Sequence, residues 1–451
     1  MNTFSKGGVH PHDNKLTAGI AISTAGLPDV AVIPLSQHIG APAKAIVAKG
    51  DQVKVGQKIA EAGGFVSAVI HAPVSGIVSK IDTVVDASGY ARPAIYIQRD
   101  GDEWESSIDR SDSLVTLDQH PDLTAETIRE AIREAGIVGM GGACFPTHVK
   151  LSPPPGCIPE QVIINAVECE PYLTADHRLL LEHPDEVLTG VGLLMKAAGV
   201  QKGFIAIENN KPDAILLMQE KAAAYDGITV VPLKVKYPQG GEKQLIEAVT
   251  GRQVPPPPAL PVSVGAIIQN VGTAYAVYEA VMKHKPLIER VVTVTGKHLS
   301  RPANLRARIG TPMSQLIEEC GGWPEDTGKL IGGGPMMGKA LHHADVPVCK
   351  GSSGILLMSE EESHRSTPSP CIRCAKCVAA CPMGLEPYLL AKAAERDIWN
   401  LLEEHHVTSC IECGSCQFTC PSYRPLLDVI RVAKATVTGI QRARASAQQN
   451  K

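Results

Sequence analysis

Cys371-Ile-Arg-Cys374-Ala-Lys-Cys377-Val-Ala-Ala-Cys381-Pro382 recurs further along as Cys410-Ile-Glu-Cys413-Gly-Ser-Cys416-Gln-Phe-Thr-Cys420-Pro421. Both read C-x2-C-x2-C-x3-C-P, the spacing that wraps a cubane [4Fe–4S] cluster. Three thiolates two residues apart bring a tight loop around three iron corners. The fourth Cys begins the next segment, and in paired loops it ligates the other cluster. One cluster is therefore assigned to Cys371, Cys374, Cys377 and Cys420, the second to Cys410, Cys413, Cys416 and Cys381. Zinc sites close a tetrahedron with two C-x2-C pairs or with His, which this pattern does not offer. Two clusters side by side make a wire, and a wire needs an electron donor and an acceptor.

The other five of the 13 cysteines (Cys144, Cys157, Cys169, Cys320, Cys349) show no ligand spacing and read as ordinary small residues. An odd count with no apolar leader at the N-terminus argues against a disulfide framework and for a cytosolic chain. The 451 residues carry 43 Lys+Arg against 47 Asp+Glu, a net −4 that disfavours a nucleic-acid partner. No run approaches the roughly 18 to 20 apolar residues that cross a bilayer.

Upstream, Lys49-Gly-Asp-Gln-Val-Lys-Val-Gly-Gln-Lys-Ile59 and Ala72-Pro-Val-Ser-Gly-Ile-Val78 alternate like short strands. They resemble the two halves of a biotinyl/lipoyl barrel-sandwich fold. The hairpin between them, residues 63–68, has no Lys to modify, so the expectation is a docking module. From 121 to 285 helical and strand segments alternate: a helix capped by Thr124, strands at 162–165, 203–208 and 228–235, helices at 187–198 and 213–224. That rhythm predicts an α/β layer with a largely parallel sheet. Residues 290–341 read as a compact β-grasp unit, 359–370 as a linker, and the chain beyond Leu426 as a helix running into a frayed tail.

Between those elements lie chemistry-bearing loops. Gly139-Met-Gly141-Gly142-Ala-Cys-Phe145-Pro-Thr-His-Val-Lys150 lets bare backbone approach a phosphate or a flat ring, with Lys150 as cation. It is neither a GxGxxG nor a Walker A loop, and alone it is equally a plain connector. Asn165-Ala-Val-Glu168-Cys-Glu170 follows a buried strand, at the end where α/β sheets bind ligands. Tyr237-Pro-Gln-Gly240-Gly241-Glu242 and Gln269-Asn270-Val-Gly-Thr273 are two more such loops.

Together these motifs resemble the C subunit family of the Rnf complex, a membrane-bound ferredoxin:NAD oxidoreductase, and the flavoprotein subunit of respiratory complex I. The resemblance covers essentially the whole chain. It implies a multidomain α/β plus α+β architecture: a barrel-sandwich hybrid (1–115), a Rossmann-like flavoprotein domain binding FMN and NADH (120–285), an SLBB β-grasp module (288–345), a helical two-cluster ferredoxin domain (360–435) and a tail (436–451). It places Gly139, Gly141, Gly142 and Lys150 around the FMN phosphate and ribityl chain, with Asn270 and Thr273 at the phosphate. Phe145 falls near the nicotinamide, Asn165 and Glu168 by the flavin, and Glu170 toward the dinucleotide, with Glu242 kept from an acidic pair. Met140, Val167 and Gly241 depart from the motif, where the family carries Arg, Asp and Glu. The loss of two carboxylates leaves FMN more secure than the dinucleotide's orientation.

The implied function is a peripheral electron-transfer subunit on the cytoplasmic face of the inner membrane. It exchanges electrons between NAD(H) and ferredoxin or a ferredoxin-like subunit through non-covalent FMN and two [4Fe–4S] clusters. Integral membrane subunits of the complex move Na+ or H+. Hydride transfer there is cofactor-driven, with no catalytic side chain. Two other readings stay open: a soluble NADH-dependent dehydrogenase or bifurcating-hydrogenase subunit, and a relay scaffold whose flavin fold is idle.

Overall fold

The computed structural model describes residues 1–449. The N-terminal module packs an antiparallel sheet, containing Val30–Pro34, Ala91–Gly101, Ser75–Val85 and Gln52–Val53, against a small sheet of Lys44–Ala45, Lys58–Glu61 and Ile70–His71. Alternate residues such as Ile33, Val78, Ile95 and Ile97 point inward with Ile59 and Ile70, so period-2 patterning builds the core. The first 17 residues leave this module. Val9 bridges to Tyr237, and Gly8 N donates to Ala380 O at 2.9 Å, so the chain start straps the flavin-type layer to the cysteine-rich domain.

That layer is a four-stranded, wholly parallel sheet in the order Ile228–Leu233, Gly203–Glu208, Gln161–Asn165, Ala266–Asn270. Its central strands are apolar on both faces because helices cover both, as parallel sheets require. Val162 and Ile164 face the helices Ala125–Glu134, Pro184–Ala198 and Val271–Met282, and Ile163 faces the helix Glu242–Thr250. Thr124 caps the first of these helices through Thr127 N, as its sequence predicts. A Cβ on Gly190 would overlap the Ala274 carbonyl, so glycine lets two of the covering helices touch.

The third unit is a six-stranded sheet ordered Ile22–Thr24, Ala303–Arg308, Glu289–Thr295, Gly354–Ser359, Thr327–Gly332, Lys339–Ala340, with the helix Met313–Glu319 packed on it. Two of these strands lie outside residues 288–345. Gly354–Ser359 is central to the sheet, and the stretch read as linker begins as a helix, Glu360–Ser363, capped by Ser359. The cysteine-rich domain gathers Leu390, Ala391, Leu402, Leu426, Ile430 and Val437 into its own core. Its last helix, Leu426–Gln449, continues well into the stretch expected to fray. Gln441 and Arg444 anchor it by hydrogen bonds to Glu403 at 3.0 and 2.8 Å. The last two residues of that tail, 450 and 451, lie outside the described residues.

Candidate functional site

The parallel sheet reverses its strand order between Gln161–Asn165 and Ala266–Asn270, and a crevice opens at the carboxyl ends of strands flanking such a reversal. Asn165 and Asn270 are register partners at that edge. The glycine loop passes directly above them. A Cβ on Gly141 would stand 2.7 Å from Asn270 Nδ2, so only glycine lets the backbone come so near. Met140 N donates to Thr273 Oγ1 at 3.0 Å, and Gly139 N donates to Phe145 O at 2.9 Å, which fixes both ends of the loop. Gly141 and Gly142 are exposed, so the mouth of the crevice is bare main chain.

Side chains from four elements converge beneath it. Asn270 Oδ1 accepts from Gly272 N at 2.8 Å, capping the helix Val271–Met282, while its Nδ2 donates to Asp176 Oδ2 at 2.7 Å. Asn165 Nδ2 donates to Gly240 O at 2.8 Å. Lys150 Nζ donates to Ile268 O at 3.1 Å and pairs with Glu242 at 3.0 Å. Phe145 is half-buried at the far end of the loop. The glycine loop, Asn165, Asn270 and Thr273 thus meet at the strand ends, with Lys150 and Glu242 paired beside Ile268.

Glu168 and Glu170 are engaged elsewhere. Glu168, at φ 46°, accepts from Asp176 N and His177 N at 2.8 and 3.2 Å and caps the helix Ala175–Glu182. Glu170 accepts from Met337 N and Met336 N at 2.7 and 3.1 Å, and burial raises its carboxyl to about 7. Each carboxylate thus turns toward free main-chain N–H groups rather than toward the glycine loop. Lys15 holds their turn by donating to the carbonyls of Glu168, Glu170 and Leu173 at 2.7, 2.9 and 2.6 Å. Nothing in the sequence around Lys15 marks it. Nor does the sequence mark Asp176, whose carboxyl is pushed up by burial and by Glu168.

In the cysteine-rich domain, Cys381, Cys410, Cys413 and Cys416 line one small cavity, walled by apolar side chains such as Leu385, Leu390 and Ile430. Among the described residues no three His, Cys, Asp or Glu close on a single metal ion; the four thiols instead surround shared space. Both loops bend alike. The residues before and after the second Cys are left-handed in each: Arg373 and Ala375 at φ 57° and 58°, Glu412 and Gly414 at 58° and 77°. That strain turns main-chain N–H groups inward, and Glu412 N reaches Cys410 Sγ at 3.4 Å. The loops differ in setting. Residues 371–376 are exposed, whereas Cys413, Gly414 and Ser415 are buried.

Comparison with known proteins accords with this geometry. The chain is 46% identical over 89% of its length to the C subunit of the proton-translocating ferredoxin:NAD(+) oxidoreductase complex of Clostridium ljungdahlii, spanning 86% of that protein. It is 44% identical over 97% of its length to the C subunit of the Na(+)-translocating ferredoxin:NAD(+) oxidoreductase complex of Acetobacterium woodii, spanning 98% of it. The chain belongs to this C-subunit family. Residues 3–102 match the RnfC barrel sandwich hybrid domain, 132–279 the Nuo51 FMN-binding domain, 291–340 the SLBB domain and 363–421 the 4Fe-4S dicluster domain. The C subunit of the ion-translocating oxidoreductase complex of Rhodobacter capsulatus is 44% identical over 86% of the chain, which spans 75% of it. The family's cofactors suit the sites. Main chain at Gly142, with nothing within 4 Å of where a Cβ would stand, is open to FMN, and the cavity lined by Cys381 and the loop 410–416 presents four thiols to a cluster.

Proposed function

We propose that this chain is the peripheral subunit through which a membrane-bound ferredoxin:NAD(+) oxidoreductase exchanges electrons with NAD(H). Its electron partner is ferredoxin or a ferredoxin-like subunit, and other, integral membrane subunits move Na+ or H+. No helix among the described residues is long and apolar enough to cross a membrane; we place the chain on the cytoplasmic face, docked on those subunits.

One observation carries the reading. The loop 237–240 takes the Asn165 amide on Gly240 O at one end, and at the other Tyr237 Oη donates to Cys413 O at 2.8 Å. The flavin crevice and the cysteine cavity are therefore built against one another. FMN bound in the crevice supplies hydride exchange with NAD(H) and one-electron steps to the clusters. Gly139, Gly141, Gly142 and Lys150 hold its phosphate and ribityl chain with Asn270 and Thr273. Phe145 and Glu242 position the dinucleotide. Cys371, Cys374, Cys377 and Cys420 hold one cluster, and Cys381, Cys410, Cys413 and Cys416 the other.

The test is cofactor analysis on a single sample of the isolated chain, with NADH–ferricyanide activity measured alongside. Flavin, iron and acid-labile sulfide together, with NADH oxidation, are expected. Iron without flavin or NADH oxidation would instead mean an electron relay.

A further inference from the structure

Arg290 is the second residue of the strand Glu289–Thr295 in the six-stranded sheet, outside the FMN-binding layer, and is only 6% exposed. Its Nε donates to Ser352 O at 3.2 Å, and its Nη1 meets Met140 Sδ at 2.8 Å. A thioether is a weak acceptor, and a guanidinium has five N–H groups to satisfy. Among the described residues no carboxylate stands within ion-pair distance of it. A buried cation with no ion-pair partner is costly, which points to an anion that the protein itself does not supply. Asp176 is the acid whose charge it feels. That carboxyl is directed at Asn270 Nδ2, 2.7 Å away, and burial beside Glu168 favours its neutral form.

The guanidinium is aimed at a receptive place. A Cβ on Gly272 would stand 3.1 Å from Nη1, which puts Arg290 at the first turn of the helix Val271–Met282. The positive end of that helix dipole, the exposed backbone of the glycine loop and the guanidinium meet at Met140 and Gly272. The same two residues and Arg290 line a small cavity. Glu279 and Glu289 also line it, each neutralised by Lys285 at 2.7 and 2.5 Å.

We propose that Arg290 binds the phosphate monoester of the flavin, so that the β-grasp domain supplies a ligand to the cofactor of its neighbour. This rests on the flavin reading above. Riboflavin differs from FMN only in lacking the phosphate, so a pair of flavins isolates the contact.

The experiment titrates FMN and riboflavin into flavin-depleted, cluster-loaded full-length protein by fluorescence quenching. Wild type is expected to prefer FMN. Arg290→Gln should lose on the order of 10- to 100-fold in FMN affinity, as for a hydrogen-bonded charge pair, with riboflavin affinity unchanged. Arg290→Lys should recover part of the preference. Equal losses for both flavins would reduce Arg290 to a structural residue, and unchanged FMN affinity would overturn the proposal outright. A wild-type chain that binds neither flavin overturns the flavin reading itself, a failure distinguishable from that of Arg290 alone.

Discussion

Tyr237 Oη donates a 2.8 Å hydrogen bond to Cys413 O, and the ring is buried against Val9, Ala380 and Cys413. A residue of the FMN-binding layer thereby holds the middle cysteine of a cluster loop. Tyr237→Phe keeps the packing and leaves the Cys413 carbonyl without its donor, a cost of about 1–3 kcal/mol. Flavin reduction by NADH should proceed as in wild type, while flavin-to-cluster transfer slows and the melting temperature falls. Stopped-flow absorbance separates the two steps; equal rates in variant and wild type would show that this bond plays no part in coupling the sites.

The shared cavity makes the cross-ligation of the clusters testable. Cys381 sits in the first cysteine run but lines the cavity of Cys410, Cys413 and Cys416. Cys381→Ala should therefore abolish the same reduced-cluster EPR signal as Cys416→Ala, and Cys374→Ala the other. Each variant should retain roughly half the iron, since each loop set holds one cubane. Pairing of the Cys381 and Cys374 phenotypes would reverse the assignment.

Lys350 fastens the barrel-sandwich module to the FMN-binding layer by donating to Val69 O and Gly136 O, both at 2.7 Å. It is fully buried, and loss of water from the ammonium lowers its pKa from 10.5 to about 7. Between those values the unfolded chain binds the proton that the folded chain has released, so stability rises with pH across the window. The effect from pH 7 to pH 9 is on the order of 2 kcal/mol. Lys350→Met should remove that slope, and urea midpoints at the two pH values measure it. A variant whose pH dependence matches wild type would locate the titration elsewhere.

How much of this was legible beforehand depends on the range of the forces involved. The cysteine loops are local objects whose ligand spacing is written in consecutive residues, so their pattern is visible without a fold. Gly203–Glu208 is buried on both faces, and its unbroken apolar run announces a covered parallel strand. Ile22–Thr24 carries no such signal, because its partner Ala303–Arg308 lies at the other end of the chain. Lys15 and Arg290 look like surface cations in sequence; only tertiary packing buries Arg290 and sets Lys15 on three carbonyls. Glu168 and Glu170 show the converse: the motif marks them, yet their carboxylates answer N–H groups at a helix start and at Met336 and Met337 that the motif does not contain. The terminal helix outlasts its weak apolar pattern because Glu403 tethers it.

Glu242 begins the helix Glu242–Thr250 and meets Lys150 at 3.0 Å, at the strand ends where the crevice opens. It is partly exposed, so the ion pair itself contributes little to stability. In the proposed function it presents a carboxylate to the dinucleotide beside the Lys150 ammonium. Glu242→Gln keeps the shape and one acceptor oxygen but removes the charge, at about 1.5–3 kcal/mol per charged hydrogen bond, roughly 10- to 100-fold. NADH-dependent flavin reduction should fall by that factor with flavin content unchanged. Loss of flavin from the variant would place Glu242 on the FMN side of the crevice instead.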